Sequence, residues 1–336
     1  MKSNRTRKCR KKNLGKATQK ATNAGSEKGK ENSQSEQITA FYGVFIPSVL
    51  PVWFKFAIAL LKSINQNYNS MKLICKMCGC NKVTKRKFIG IIKQNSGKEI
   101  DFQICERCHF HYAPDNFYQY VETHNYGYSP RIGTDKKAGR EYHLANFAYN
   151  LYTQVNDKEC PSVLFLGVGE SKDHDRIRAE NKFSKSKITD IINYQNSEHH
   201  IPLDSPEKFN AIIISEVIEH FVEPREDFDG IFSKLEDDGI LVITVNIHDQ
   251  KSKIEYLSYP FIGGHTCYYT GESLYAMAEA LGYSLDFRNL FGSQGYLGPR
   301  KKTLIFYKNP NYQKAIGLYF SKNWQVPSEF GNLKGN

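Results

Sequence analysis

Apolar and polar positions fall into clearly different textures along the chain. Residues 1–37 carry almost no apolar side chain, so they cannot bury enough surface to offset ordering entropy, which predicts a disordered tail. The next stretch is the opposite. Ile38–Leu61 runs for 24 residues with Lys55 as its only charge. That is long enough to span a bilayer, although Pro47, Pro51 and Lys55 weaken it as a helix. Segment 38–62 is therefore a candidate membrane anchor, with a targeting segment and a dispensable extension as alternatives. Basic residues ahead of it would send the rest of the chain outside, an awkward topology for a domain of cytoplasmic type. Residues 71–336 are taken as the working unit.

Within that unit, Lys87–Lys93 and Glu99–Ile104 read as strands of a small ribbon in a module over 71–130. From about Thr134 helix and strand alternate. Asp135–Gln154 places Leu144, Phe147, Ala148 and Leu151 at helical spacing. Ser162–Gly167, Lys187–Ile192, Phe209–Ser215 and Ile240–Asn246 are apolar runs of the kind that fill a parallel sheet. Phe228, Ile231, Phe232 and Leu235 form a helical stripe between the last two. Thr270 caps another helix, with Leu274, Met277, Ala278 and Leu281 on one face and Gly282 ending it. Lys302–Tyr307 reads as a final strand, and 311–336 as a C-terminal tail. The pattern predicts an α/β fold, a doubly wound Rossmann-like sheet over 131–310.

Charge changes the picture by its position. The chain carries +11 overall, but residues 1–30 hold 11 Lys/Arg against Glu27, and from Met71 onward the balance is only +1. A nearly neutral body argues against a groove that tracks phosphates, so nucleic acid is disfavoured as partner and an uncharged or modestly anionic metabolite is favoured.

Four of the eight cysteines form two pairs, Cys75-Lys-Met-Cys78 and Cys105-Glu-Arg-Cys108, separated by 26 residues. Two such knuckles match a four-cysteine zinc site, with Gly79 letting the first fold back. Four protein ligands leave no open position, so the metal is expected to be structural. Cys80, His109 and His111 are spare donors nearby. At the end of the first predicted parallel strand, Gly167-Val168-Gly169-Glu170-Ser171 lets backbone approach a polar ligand, and Asp190 lies where an acid would hold ribose hydroxyls. The third glycine expected for nicotinamide binding is missing, which demotes a dehydrogenase.

These segments together resemble the class I S-adenosylmethionine-dependent methyltransferases. SVLFLGVGES is similar to their first motif and FNAIIISEVIEHF to the fourth strand with its turn. LEDDGILVITVNI is similar to the fifth strand, and GGHTCYYTGESLYAMAEALGYSLDF to the late segment in which a His precedes a helix and strand. A four-cysteine module ahead of such a domain is similar to zinc-containing methyltransferases of sugar and natural-product pathways. The resemblance covers residues 71–308. It implies transfer of a methyl group from S-adenosyl-L-methionine to a hydroxyl or carbon of a small-molecule or glycan acceptor. Gly167, Gly169, Glu170, Asp190 and Glu216 would hold the cofactor, and His265, His220 and Glu216 would serve catalysis.

Three departures accompany the resemblance. Phe165 stands where the first motif usually opens with an acid, and Ser171 replaces the third glycine. Recognition of the methionine end then falls to Glu170, Asp173 or backbone. The interval from Asp190 to Phe209 is also short, so the second strand–helix unit is abbreviated. Two other classes of function remain. Glu216, Glu219, His220 and His265 resemble the metal-binding set of small-RNA 3′-end 2′-O-methyltransferases, which would imply Mg2+ or Mn2+ and an RNA substrate. A non-catalytic zinc-bearing interaction protein on a degenerate methyltransferase scaffold is the other. Aromatic residues from Phe110 to Tyr128 suit sugar stacking, and Arg300–Lys302 suits an anionic group.

Overall fold

A run such as Phe209–Ser215, with no charge and β-branched residues at its centre, is stable only where both faces are covered, and the structure covers both. The computed structural model describes residues 73–117, 133–156, 160–190, 198–288 and 301–322. The basic tail, the 38–62 segment, Tyr118–Tyr128 and Arg300 lie outside the described residues. No helix among the described residues is long and apolar enough to cross a membrane.

In chain order the elements are β1 (Val83–Ile89), β2 (Glu99–Cys105), β3 (His111–Tyr112), α1 (Arg140–Val155), β4 (Ser162–Leu166), α2 (Asp173–Glu180), β5 (Lys185–Thr189), β6 (Phe209–Ser215), α3 (Pro224–Ser233), β7 (Leu235–Asn246), β8 (Cys267–Tyr268), α4 (Gly271–Ala280), β9 (Ser284–Arg288), β10 (Lys301–Tyr307) and α5 (Asn311–Lys322). The larger sheet has the order β5-β4-β6-β7-β10-β9. Its first four strands are parallel, while β10 runs antiparallel to both β7 and β9. This is the expected doubly wound α/β sheet.

Alternation along the strands separates two cores. Val163, Phe165, Ala211, Ile213, Val242 and Ile305 pack with α1, α2 and α5. Leu164, Leu166, Ile212, Ile214, Ile243 and Phe306 pack with α3 and α4. Phe165 is thus a core residue pointing at α1, which accounts for the missing acid. Beyond β5 only one bridge among the described residues, Ile188 to His200, extends the sheet, consistent with an abbreviated second unit.

Two segments differ from the sequence reading. Residues after 310 do not begin a tail: α5 buries Tyr312, Ala315 and Ile316 against α1, and their spacing carried that helical signal. β7 begins at Leu235 instead of Ile240, its exposed Glu236–Asp238 accommodated by a register irregularity against β6.

The cysteine-bearing segment forms a second sheet of order β1-β2-β3-β8. Its last strand comes from far along the chain, with His111 opposite Tyr268 and Tyr112 opposite Cys267. Cys75, Met77, Phe110 and Tyr112 share a core with α3, α4 and the α3-facing side of the larger sheet. The ribbon and the sheet domain therefore meet along a strand ladder and a common apolar interior. Thr270 caps α4 as expected, in a reciprocal box with Ser273, and its hydroxyl also donates to the Cys108 carbonyl.

Candidate functional site

Each cysteine pair closes the same turn. The amide after the second cysteine donates to the carbonyl of the first, Gly79 to Cys75 and His109 to Cys105, both at 3.0 Å. Gly79 and His109 accordingly adopt left-handed backbone, at φ +69° and +55°. Amides of Met77 and Arg107 approach the Cys75 and Cys105 sulfurs at 3.4 Å each. The four Sγ atoms lie within 4.8 Å of one another. Cys75–Cys108 and Cys78–Cys105 are each 3.6 Å apart, near the roughly 3.8 Å edge of a tetrahedron with zinc–sulfur bonds of about 2.3 Å. The Cys108 thiol beside it holds Cys75 down to about 5, while Cys75 in turn pushes Cys108 up and burial raises Cys105, so one thiolate of the set is favoured at the expense of its neighbours. The four residues fit zinc. Cys80 and His109 stay outside the set, and His111 is turned toward His248, with ring centroids 5.0 Å apart.

A second group gathers at the carboxyl ends of β4, β5 and β6, where an open α/β sheet binds its ligands. Gly167 and Gly169 both have positive φ, +70° and +51°, and they differ in purpose. A Cβ on Gly167 would meet Val217 Cγ2 at 2.4 Å, whereas one on Gly169 would meet nothing within 4 Å. Packing requires the first glycine, whereas the second has open space where a side chain would stand. Glu170 is exposed on the following turn.

Ser171 and Asp173 brace the loop. Ser171 donates to Glu141 at 3.2 Å. Asp173 accepts from the amides of Gly139 and Tyr142 at 2.8 and 3.1 Å, capping α1 from across the fold. That role engages both Asp173 carboxylate oxygens. Asp190, one residue beyond β5, is buried, and burial pushes its carboxyl up to about 7. Its Oδ2 has no hydrogen-bond partner among the described residues. A buried acceptor without a donor is costly unless a ligand supplies one.

Beyond β6 the chain turns sharply. Glu216 has φ +58°, a strained conformation for a side-chain-bearing residue. Its amide donates to Thr244 O at 2.9 Å, and its carboxylate lies 3.8 Å from the Arg140 guanidinium at the start of α1. Arg140 was not singled out by sequence, because its position ahead of a helical stripe gives no sign that it is buried among carboxylates.

The turn continues through Ile218–His220 and brings Glu219, His220 and His265 together, their ligand-type atoms within 4.8 Å of one another. Glu216 is not part of this cluster, so the expected four-residue set is three residues here, with Glu216 directed to Arg140. Glu219 is 1% exposed, and burial pushes its carboxyl up to about 7, opposed by the neighbouring Tyr259 hydroxyl and by Arg140.

His265, on the loop that follows Gly263-Gly264, is buried. Its Nδ1 bonds Tyr259 O at 2.9 Å, and His220 Nδ1 bonds Gly264 O at 2.9 Å. A carbonyl can only accept, so Nδ1 carries the proton in both rings. Burial holds His220 down to about 4 and His265 well below its ordinary value, with His220 adding to the effect. Both imidazoles are thus neutral near pH 7, with the Nε2 lone pair as the chemistry they offer. Tyr259, whose carbonyl holds His265 and whose hydroxyl lies beside Glu219, also escaped the sequence reading.

The family described as Methyltransferase domain matches residues 115–286, just over half of the chain. No curated protein matches the chain at a significant level. Among solved structures, the plantazolicin methyltransferase BpumL in complex with SAH is 13% identical, covering 50% of this chain and 84% of its own, with a TM-score of 0.38. The Burkholderia thailandensis 1,6-didemethyltoxoflavin-N1-methyltransferase with bound 1,6-didemethyltoxoflavin and S-adenosylhomocysteine is 14% identical, covering 49% and 83%, with a TM-score of 0.35. N-methyltransferase NodS from Bradyrhizobium japonicum is 15% identical, covering 52% and 90%, with a TM-score of 0.35.

Proposed function

The chain belongs to the methyltransferase-domain family, and from that premise we propose that it methylates a hydroxyl (or carbon) of a sugar-containing or small metabolite, using S-adenosylmethionine. The observation that carries the cofactor reading is Asp190, a buried carboxylate at the end of β5 with an oxygen that no described residue bonds. Ribose hydroxyls are the donors such an oxygen suits. Gly167 and Gly169 shape the loop beside it, with Glu170 at its rim. Glu216 and Arg140 offer a carboxylate and a guanidinium suited to the zwitterionic methionine end.

When bound, S-adenosylmethionine supplies a methyl group already electrophilic on a sulfonium, so the protein has to orient the acceptor and accept its proton. Glu219, poised near neutral pH, is the better matched base. His265 and His220 keep lone pairs directed by their Nδ1 bonds and can accept a hydrogen bond from the acceptor hydroxyl. We infer that the four cysteines hold a structural zinc.

Titration calorimetry with S-adenosylhomocysteine tests the cofactor site. Asp190 must be ionised to accept from two hydroxyls, so affinity should tighten as pH rises through about 7. Asp190→Asn should weaken binding about tenfold or more and flatten that pH dependence, the loss expected for a charge-assisted pair of hydrogen bonds. Wild-type protein that binds neither S-adenosylmethionine nor S-adenosylhomocysteine would point to the non-catalytic scaffold.

A second reading rests on the convergence of Glu219, His220 and His265. Two imidazoles and one carboxylate suit a divalent transition ion that could engage an acceptor hydroxyl, as the RNA-methylating resemblance implies. It requires manganese to bind wild-type protein and Glu219→Gln to abolish that binding. Wild-type protein that takes up no manganese leaves the base reading.

A further inference from the structure

His265 lies in a stretch, Ile254–Thr270, that has little regular structure of its own beyond short turns and the two residues of β8. An irregular loop does not hold an imidazole in one orientation unless something outside it fixes its curvature. Here the outside support comes from the cysteine module. Ile91 N donates to Glu255 O at 3.0 Å and Ala113 N to Thr266 O at 2.7 Å. Asn95 Nδ2 donates to Ser258 O at 3.2 Å, and the Lys98 ammonium donates to Phe261 O.

The densest contact is made by Asn116, at the end of the short turn after β3. Its side-chain amide donates to both Ile262 O and His265 O at 2.8 Å. Its backbone carbonyl accepts from Gly264 N at 2.9 Å. Gly264, at φ +84°, is also the residue whose carbonyl receives the His220 Nδ1 proton. One residue therefore grips both ends and the middle of the turn between the two rings.

We propose that Asn116 is a positioning residue: it fixes the turn Ile262–His265 so that the His265 Nδ1–H meets Tyr259 O and its Nε2 faces Glu219 and His220. Phe117 comes directly after it and His111–Tyr112 precede it in the ladder with β8, so the ribbon transmits its rigidity to the reacting side of the sheet. The catalytic meaning of this role rests on the proposed function, but the orientation itself does not.

The test is the long-range proton–nitrogen spectrum of the histidine rings in the full-length protein, with His265→Gln used to identify the signal. Wild-type His265 should be in the Nδ1–H form. Asn116→Ala should shift its tautomer ratio about fivefold toward Nε2–H, the factor that accompanies the net worth of one hydrogen bond. His248 should be unmoved and S-adenosylhomocysteine affinity should stay within about twofold, since the residues proposed to hold cofactor remain in place. Asn116→Asp, the same shape without the donor, should fail to restore the wild-type ratio.

An unmoved His265 ring in both variants overturns the role. So does a change spread over all the histidines together with lost cofactor affinity, which is the mark of general damage. A wild-type protein that binds no S-adenosylhomocysteine overturns the proposed function alone and leaves the ring result to stand on its own.

Discussion

Among the described residues, two buried clusters of ligand-type side chains are built by opposite strategies. The cysteine cluster is local. Each knuckle brings its own sulfurs, its own amide-to-sulfur bonds and its own left-handed residue, so the short sequence Cys-x-x-Cys carries nearly all the geometry. The Glu219–His220–His265 cluster is assembled. Two of its members come from the turn after β6, and the third comes from a loop held by a module that precedes both in the chain. The comparison shows why spacing reveals one site and only resemblance points toward the other.

The largest effect should come from the local cluster. Cys105→Ser should lower the thermal midpoint more than any other single change, because structural zinc in a four-ligand site contributes on the order of 10 kcal/mol to its fold. Because β3 pairs with β8, His265 should be disordered as well, visible in its ring resonances. A Cys105→Ser protein destabilised with no change at His265 would show that the two clusters are independent.

Gly167→Ala is next. Its methyl must be placed at positive φ and against Val217, which should cost roughly 2–4 kcal/mol in chemical denaturation. The same change at Gly169, which has positive φ but open space, should cost roughly 1–2 kcal/mol and should instead show up in cofactor affinity. The smallest effect belongs to the asymmetry between the knuckles. His109→Gly removes a left-handed side-chain-bearing residue and should stabilise by about 0.5–1 kcal/mol, the relief of that strain less the entropy a glycine adds. Destabilisation would mean that the His109 ring does more than occupy the turn.

Legibility in the sequence divides along the same line. Phe209–Ser215 matched its strand residue for residue, because an uncharged β-branched run between polar flanks has few other uses. Thr270 was legible as a cap because its role is local. Arg140, Tyr259 and Asn116 were not, since each acts on residues distant in sequence and nothing in its neighbourhood marks it. Glu216, Glu219 and His220 have the i, i+3, i+4 spacing that a helical turn would set on one face. A left-handed backbone at Glu216 breaks that face, and side-chain spacing cannot reveal a positive φ at a glutamate. Asp173 looked like a ligand for the same reason: its task as a cap on α1 is set by tertiary contact.

The ladder between β3 and β8 also sets a timetable. Thr270 and the Cys108 carbonyl it bonds are 162 positions apart. At roughly 5–20 residues per second of synthesis, the two cysteine knuckles emerge on the order of ten to thirty seconds before the strand that completes their sheet. During that interval the thiols are made and exposed, with neither their neighbouring strand nor their shared apolar interior yet present. An early metal would be more than a brace for the finished protein: it would protect a nascent chain whose first module cannot finish until one of its last segments arrives.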